Sequence, residues 1–116
     1  MKLPCLLAVD ASKFDEVSLD IDVLAELEAF RGHFPGHPIL PGVVQVDWAL
    51  RFANLHLAVE DAVAKDFQVK FRNVIFPGKP LTLILQFDKA KRKLSFEYKS
   101  GENIMSSGQI RLSVPK

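Results

Sequence analysis

At 116 residues, with 48% apolar and 25% charged residues, the chain has the length of a single domain spanning 1–116 and a composition that excludes disorder and fibrous structure. Its formal charge of +1 provides little attraction for nucleic acid or an anionic membrane surface, so neither is expected as a partner. No stretch approaches the roughly 20 apolar residues needed to span a bilayer, which predicts a soluble protein.

The opening MKLPCLLAVDAS is interrupted by Pro4 and Asp10, which break the apolar core a signal peptide requires, so it reads as mature sequence. Cys5 is the single cysteine, which excludes an intrachain disulfide or thiolate cluster and fits a reducing cytoplasm. Its neighbours Leu3, Leu6 and Leu7 predict buried or edge packing rather than a nucleophile. From Glu16 onward, Val17, Leu19, Ile21 and Val23 alternate with Ser18, Asp20 and Asp22, the period of a half-buried strand running toward Leu27. The segment EAFRGHFPGHPILPG then brings prolines and glycines so close together that neither a helix nor a central strand can continue, and a shaped loop is expected.

After Pro41-Gly42 the run VVQVDWALRFANLHLAV, without proline or glycine, predicts a helix of about four turns. Its apolar residues, from Val43 and Val44 to Leu55 and Leu57, surround most of the cylinder, so the helix is expected to be buried on nearly all sides. Asp47, Arg51 and Asn54 fall at i, i+4 and i+7 and form one polar stripe. The remainder reads as four strands, near 67–71, 81–87, 93–99 and the segment GQIRLSV, making five in all, with turn signals at Pro77-Gly78 and across Lys99 to Asn103. One buried helix beside antiparallel strands is an α+β domain, a sheet wrapped around a central helix. So small a sheet leaves an edge or face uncovered, so a homodimer is expected.

The chemistry is concentrated in FRGHFPGHPILPGVVQVDWA, residues 30–49. His33 stands in the rigid loop and is the side chain type whose pKa lies nearest neutrality, suited to taking a proton from carbon. The alternative for His33 is a hydrogen bond within the loop. Gly42 begins the helix, where free backbone N–H groups and the helix dipole can stabilise charge on a carbonyl oxygen; a glycine that merely permits the turn is the plainer alternative. Asp47, inside a mostly apolar helix, requires a partner: it either protonates a leaving hydroxyl or pairs with Arg51 at i+4.

These residues resemble the active-site segment of the 3-hydroxyacyl-[acyl-carrier-protein] dehydratases, whose motif G-H-F-P-x-x-P-x-x-P-G-V reaches a catalytic acid 14 residues after its histidine, the spacing from His33 to Asp47. Downstream, KFRNVIFPGKPL, residues 70–81, is similar to the family's K-F-R-x-x-x-x-P-G-x-x-L. The resemblance implies a hotdog fold, a dimer with each active site at the subunit interface, and no cofactor or metal. It implies His33 as the catalytic histidine, Asp47 as the acid supplied by the other subunit, and Gly42 as the glycine that binds the thioester carbonyl. Phe34, Pro41, Val43, Trp48 and Arg51 are expected to contact the substrate. The acid is aspartate, as in the branch that also isomerises its product, and Arg51 stands where the family commonly carries glutamine. PILPGVVQVDWA is similar to small dehydratases that serve aryl polyene and other specialised acyl chains. The expected substrate is an acyl carrier protein or acyl-CoA thioester, and a higher or hetero-oligomer is compatible with the same motifs.

Other chemistries fall away. His33 and His37 are separated by Pro35 and Gly36 and cannot form a helical zinc site. No P-loop, dinucleotide fingerprint or G-x-S-x-G is present. His37 is expected to orient the loop and His56 to approach the carbonyls at the helix end. Arg31, Arg51, Lys70, Arg72 and Lys79 form either a basic rim for an acidic carrier or an ordinary solvated edge. Phe30, Phe34, Trp48 and Phe52 either line an acyl tunnel or are plain core. Two competing functions remain: a hotdog thioesterase, in which Asp47 activates water, and a non-catalytic partner subunit that binds acyl carrier.

Overall fold

The computed structural model describes residues 3–23, 39–57, 59 and 64–113, and all structural statements below concern these residues. His33, Phe34 and His37, with most of the loop expected between the first alternating strand and the helix, lie outside them. The elements in chain order are β1 (Cys5–Lys13), β2 (Glu16–Asp22), α1 (Gly42–His56), β3 (Ala64–Phe71), β4 (Pro80–Asp88), β5 (Lys93–Ser100) and β6 (Asn103–Leu112). The strands form one antiparallel sheet in the order β1-β2-β4-β5-β6-β3, and α1 packs over its central strands β4 and β5.

The α+β expectation holds, with two corrections. There are six strands, because β1 was not foreseen. Its described side chains are all exposed, and a strand with neither face buried has no alternation to read. Cys5 lies on this edge strand and is exposed rather than packed. The second correction concerns α1, which the single chain does not bury on nearly all sides. Val43 is 73% exposed and Leu55 66% exposed, and Asp47 and Asn54 also face outward.

The core follows from register. Val17, Leu19 and Ile21 on β2 oppose Leu85, Leu83 and Leu81 on β4. Leu83 and Leu85 in turn oppose Tyr98 and Phe96 on β5, and Leu94 opposes Ile110 on β6. Because side chains alternate across a strand, this pairing puts every one of these residues on the same face, where Trp48, Ala49, Phe52 and Ala53 of α1 cover them. The opposite face is polar, and a shallow concavity of about 760 Å³ there is lined by Glu16, Gln86, Glu97 and Gln109, away from the helix. At the turns, Gly78 and Gly101 adopt φ of 103° and 61°, the left-handed conformations that the Pro-Gly and Ser-Gly signals foretell.

Candidate active site at the helix start

The start of α1 is built by Pro41, whose extended backbone (φ −62°, ψ 147°) turns the chain into the helix without a side-chain cap. Its carbonyl accepts the amides of Val44 at 3.1 Å and Gln45 at 3.2 Å. Helix geometry thereby leaves the Gly42 and Val43 amides without an intrahelical acceptor, at the positive end of the helix dipole. No acidic side chain occupies the first turn to offset that potential.

A buried polar network fixes this end of the helix. Gln45, 3% exposed, donates from Nε2 to the Leu40 carbonyl at 3.1 Å. Its Oε1 accepts the Ser106 hydroxyl at 2.6 Å, and its backbone carbonyl accepts the Tyr98 hydroxyl at 2.7 Å. Ser106 and Tyr98 are directly opposed on β6 and β5, so the sheet register delivers both hydroxyls to one helix residue. Burial, reinforced by the charge of Asp47, pushes the Tyr98 phenol well above its ordinary pKa and keeps it a donor. Sequence reasoning passed over this group. Gln45, the one amide within the apolar run VVQV, was the available signal, but its partners are about 60 residues away.

Beside the helix start is a cleft of about 380 Å³ between Ile39, Leu40, Pro41 and Gly42 on one side and the segment Phe71–Val74 on the other. The Leu40 amide donates to the Ile75 carbonyl at 2.9 Å and ties the two walls together. Phe71 reaches across the cleft to Gly42. A Cβ at Gly42 would lie 2.9 and 3.1 Å from Cε1 and Cε2 of that ring, and nearer still to Cζ. The packed ring gives this glycine a reason that neither substrate approach nor turn geometry supplied.

Asp47 is solvent-exposed on α1, and its carboxylate lies 3.5 Å from the Arg51 guanidinium, the expected i+4 pair. It does not line the cleft at Gly42. A separation of five residues turns about 140° around a helix, so the two groups face different directions. Val43, at i−4, shares the face of Asp47. Trp48 is wholly buried in the core, with its indole N–H unpartnered, and Phe52 is buried beside it. Pro41 and Arg72 line the cleft, and His56 stacks against Phe52 with ring centroids 6.2 Å apart. The structure thus brings Pro41, Gly42 and Phe71 together and sets Asp47, Val43 and Arg51 on a neighbouring helix face.

Comparison with known proteins settles the family. Residues 10–109 match the ApeI-like family, described as ApeI dehydratase. The chain belongs to this family. Among solved structures, a chain of the dehydratase heterocomplex ApeI:P from Xenorhabdus doucetiae is 32% identical, with 97% of this chain and 100% of that one covered at a TM-score of 0.91. Among curated proteins, the 3-hydroxyacyl-[acyl-carrier-protein] dehydratase FabZ of Ruminiclostridium cellulolyticum is 33% identical over 109 residues, 82% of this chain and 74% of that protein. FabZ of Oenococcus oeni is 38% identical over 71 residues, 55% of this chain and 51% of that protein. The chain spans about half the length of the first curated relatives it matches. The ApeI-like fold is the hotdog: a curved antiparallel sheet around one helix, as the motifs implied.

Proposed function

We propose that the chain is a dehydratase acting on 3-hydroxyacyl thioesters, with His33 as base, the Gly42 amide as carbonyl donor and Asp47 as acid. The observation that carries this reading is the helix start itself, where two amides without an intrahelical acceptor sit at the head of a helix that also carries a solvent-accessible carboxylate, within a chain of the ApeI-like family. The Gly42 amide polarises the thioester carbonyl and stabilises the charge that develops there as the C2 proton leaves. His33 accepts that proton, the C2–H electron pair becomes the C2=C3 double bond, and the C3–O bond breaks. Asp47, directly or through water, protonates the departing hydroxyl. The products are a trans-2-enoyl thioester and water, and both side chains recover their protonation states by exchange with solvent.

Pairing with a second subunit is part of the proposal. Asp47 and Gly42 face different directions on α1, and the exposed Val43 shares the face of Asp47, so a second hotdog chain laid there would cover apolar surface and bring the acid to a site it does not line within its own chain. A homodimer is the simplest assembly; the similarity to the dehydratase heterocomplex ApeI:P supports a different second subunit as the alternative partner. The substrate is read as an acyl chain on acyl carrier protein, in fatty acid or aryl polyene-type synthesis, in the cytoplasm. No helix among the described residues is long and apolar enough to cross a membrane.

The test is mass spectrometry of purified protein with 3-hydroxyacyl and trans-2-enoyl thioesters on carrier protein and coenzyme A. Interconversion of the two supports the reading. Release of free thiol in its place identifies a thioesterase, and turnover that appears only with an added hotdog subunit identifies an obligate partner.

A further inference from the structure

Phe71 stands at an unusual junction of fixed backbone and free side chain. Its backbone is held by pairing with Ser106 at the end of β3, and the next two amides, of Arg72 and Asn73, both donate to the Met105 carbonyl at 2.9 and 3.0 Å. The Asn73 side chain adds a third tie, donating from Nδ2 to the Ile104 carbonyl at 3.0 Å. The ring, in contrast, is 55% exposed while resting against Gly42. The ring is therefore expected to move chiefly by rotation about its own side-chain bonds, on a backbone tied by these hydrogen bonds.

The space this ring leaves is small. The cleft beside Gly42 is about 380 Å³, at the low end of the range of small-molecule sites, and apart from Gln45, Arg72 and Asn73 its walls are apolar or backbone. A thioester carbonyl placed on the Gly42 amide has the Phe71 ring as its immediate neighbour, so the ring's size limits what can be attached to that carbonyl. We infer that Phe71 is a specificity-determining residue, an aromatic wall that sets the bulk of acyl group accepted beside the Gly42 amide. This rests on the dehydratase reading and adds to it the residue that selects among 3-hydroxyacyl thioesters.

The experiment compares wild type, Phe71→Ala and Phe71→Trp on short straight-chain and bulky aryl-bearing 3-hydroxyacyl thioesters. A steric wall predicts that Phe71→Ala raises the bulky-to-short ratio of kcat/KM about tenfold or more, and that Phe71→Trp lowers it, since one or two carbon groups in an apolar pocket change selectivity by that order. The ring is half exposed, so both variants are expected to fold, and circular dichroism checks this. Ratios in both variants within about twofold of wild type would overturn the inference. The same set is run by thermal unfolding with S-alkyl and S-arylalkyl pantetheine thioethers, which need no turnover. If wild type turns over no 3-hydroxyacyl thioester, alone or with an added hotdog subunit, the dehydratase reading falls, and the thioethers decide on Phe71 alone. A change between variants in which thioether stabilises best keeps the wall, and an unchanged order removes it.

Discussion

The Tyr98 hydroxyl, on β5, donates to the backbone carbonyl of Gln45 in the first turn of α1 at 2.7 Å, across 53 residues of sequence. Directly beside it, Ser106 donates to the Gln45 side chain. The helix start that presents the Gly42 amide is thus anchored by the sheet, not by its own cap. Replacing Gln45 by Leu keeps much of the volume but strands the Leu40 carbonyl and the Ser106 hydroxyl in the interior. A loss of about 2–6 kcal/mol is expected, because each of the two buried polar groups left alone costs about 1–3 kcal/mol. Urea unfolding measures it. The double variant Gln45→Leu with Ser106→Ala should be less destabilised than the sum of the two single changes.

Tyr98 is the only tyrosine in the chain, so its ionisation is directly visible in ultraviolet absorbance. Burial first, and the charge of Asp47 second, raise its pKa well above the ordinary value of 10.0. The folded state therefore retains a proton that the unfolded state loses as pH passes 10. The contribution of Tyr98 is fully present below that pH and declines above it, by up to about 1.4 kcal/mol per pH unit. Tyrosinate absorbance should appear together with loss of the circular dichroism signal. A titration with a midpoint near 10 in protein that stays folded contradicts the buried donor. Tyr98→Phe should remove this part of the alkaline decline at a cost of about 1 kcal/mol near neutral pH.

Asp47 is half exposed and paired with Arg51 at 3.5 Å, so it contributes little to the fold. Asp47→Asn is expected to unfold within about 0.5 kcal/mol of wild type while losing activity by about two to four orders of magnitude, the usual range for a general acid or base. His33→Ala is expected to lose a similar amount of activity. Parallel urea curves and the thioester assay separate the two effects; a variant at each position with full activity removes the assignment.

Gly108 opposes Phe96 on β5, and a Cβ there would lie 2.5 Å from the Gln68 carbonyl oxygen on β3 and 2.9 Å from Cζ of Phe96. Backbone cannot yield as a side-chain tip can. Gly108→Ala should therefore cost about 1–3 kcal/mol by wedging β3 from β6, read as a lower urea midpoint. The Gly42→Ala change, which meets only a half-exposed ring, should cost less.

Local pattern carried much of this molecule. The alternation of Val17, Leu19 and Ile21, the apolar helix after Pro41-Gly42 and the Gly101 turn were legible because each reflects one buried face, one helical period or one backbone conformation. The loop histidine, the helix-start glycine and the acid at His33 plus 14 were legible as a motif. β1 was not, since an edge strand with its described side chains exposed leaves no hydrophobic signature. Nor were the partners of Gln45 or the ring over Gly42, because strand register decided those contacts. The pairing of Phe71 with Ser106 joins residues from distant strands, and the pairing of Tyr98 with Ser106 sets both hydroxyls against Gln45, 53 and 61 residues away in sequence. The sequence by itself determined which elements form and which chemical groups are available. The tertiary structure decided which of them meet, because a hydroxyl or a ring acquires its role only when a neighbouring strand holds it there.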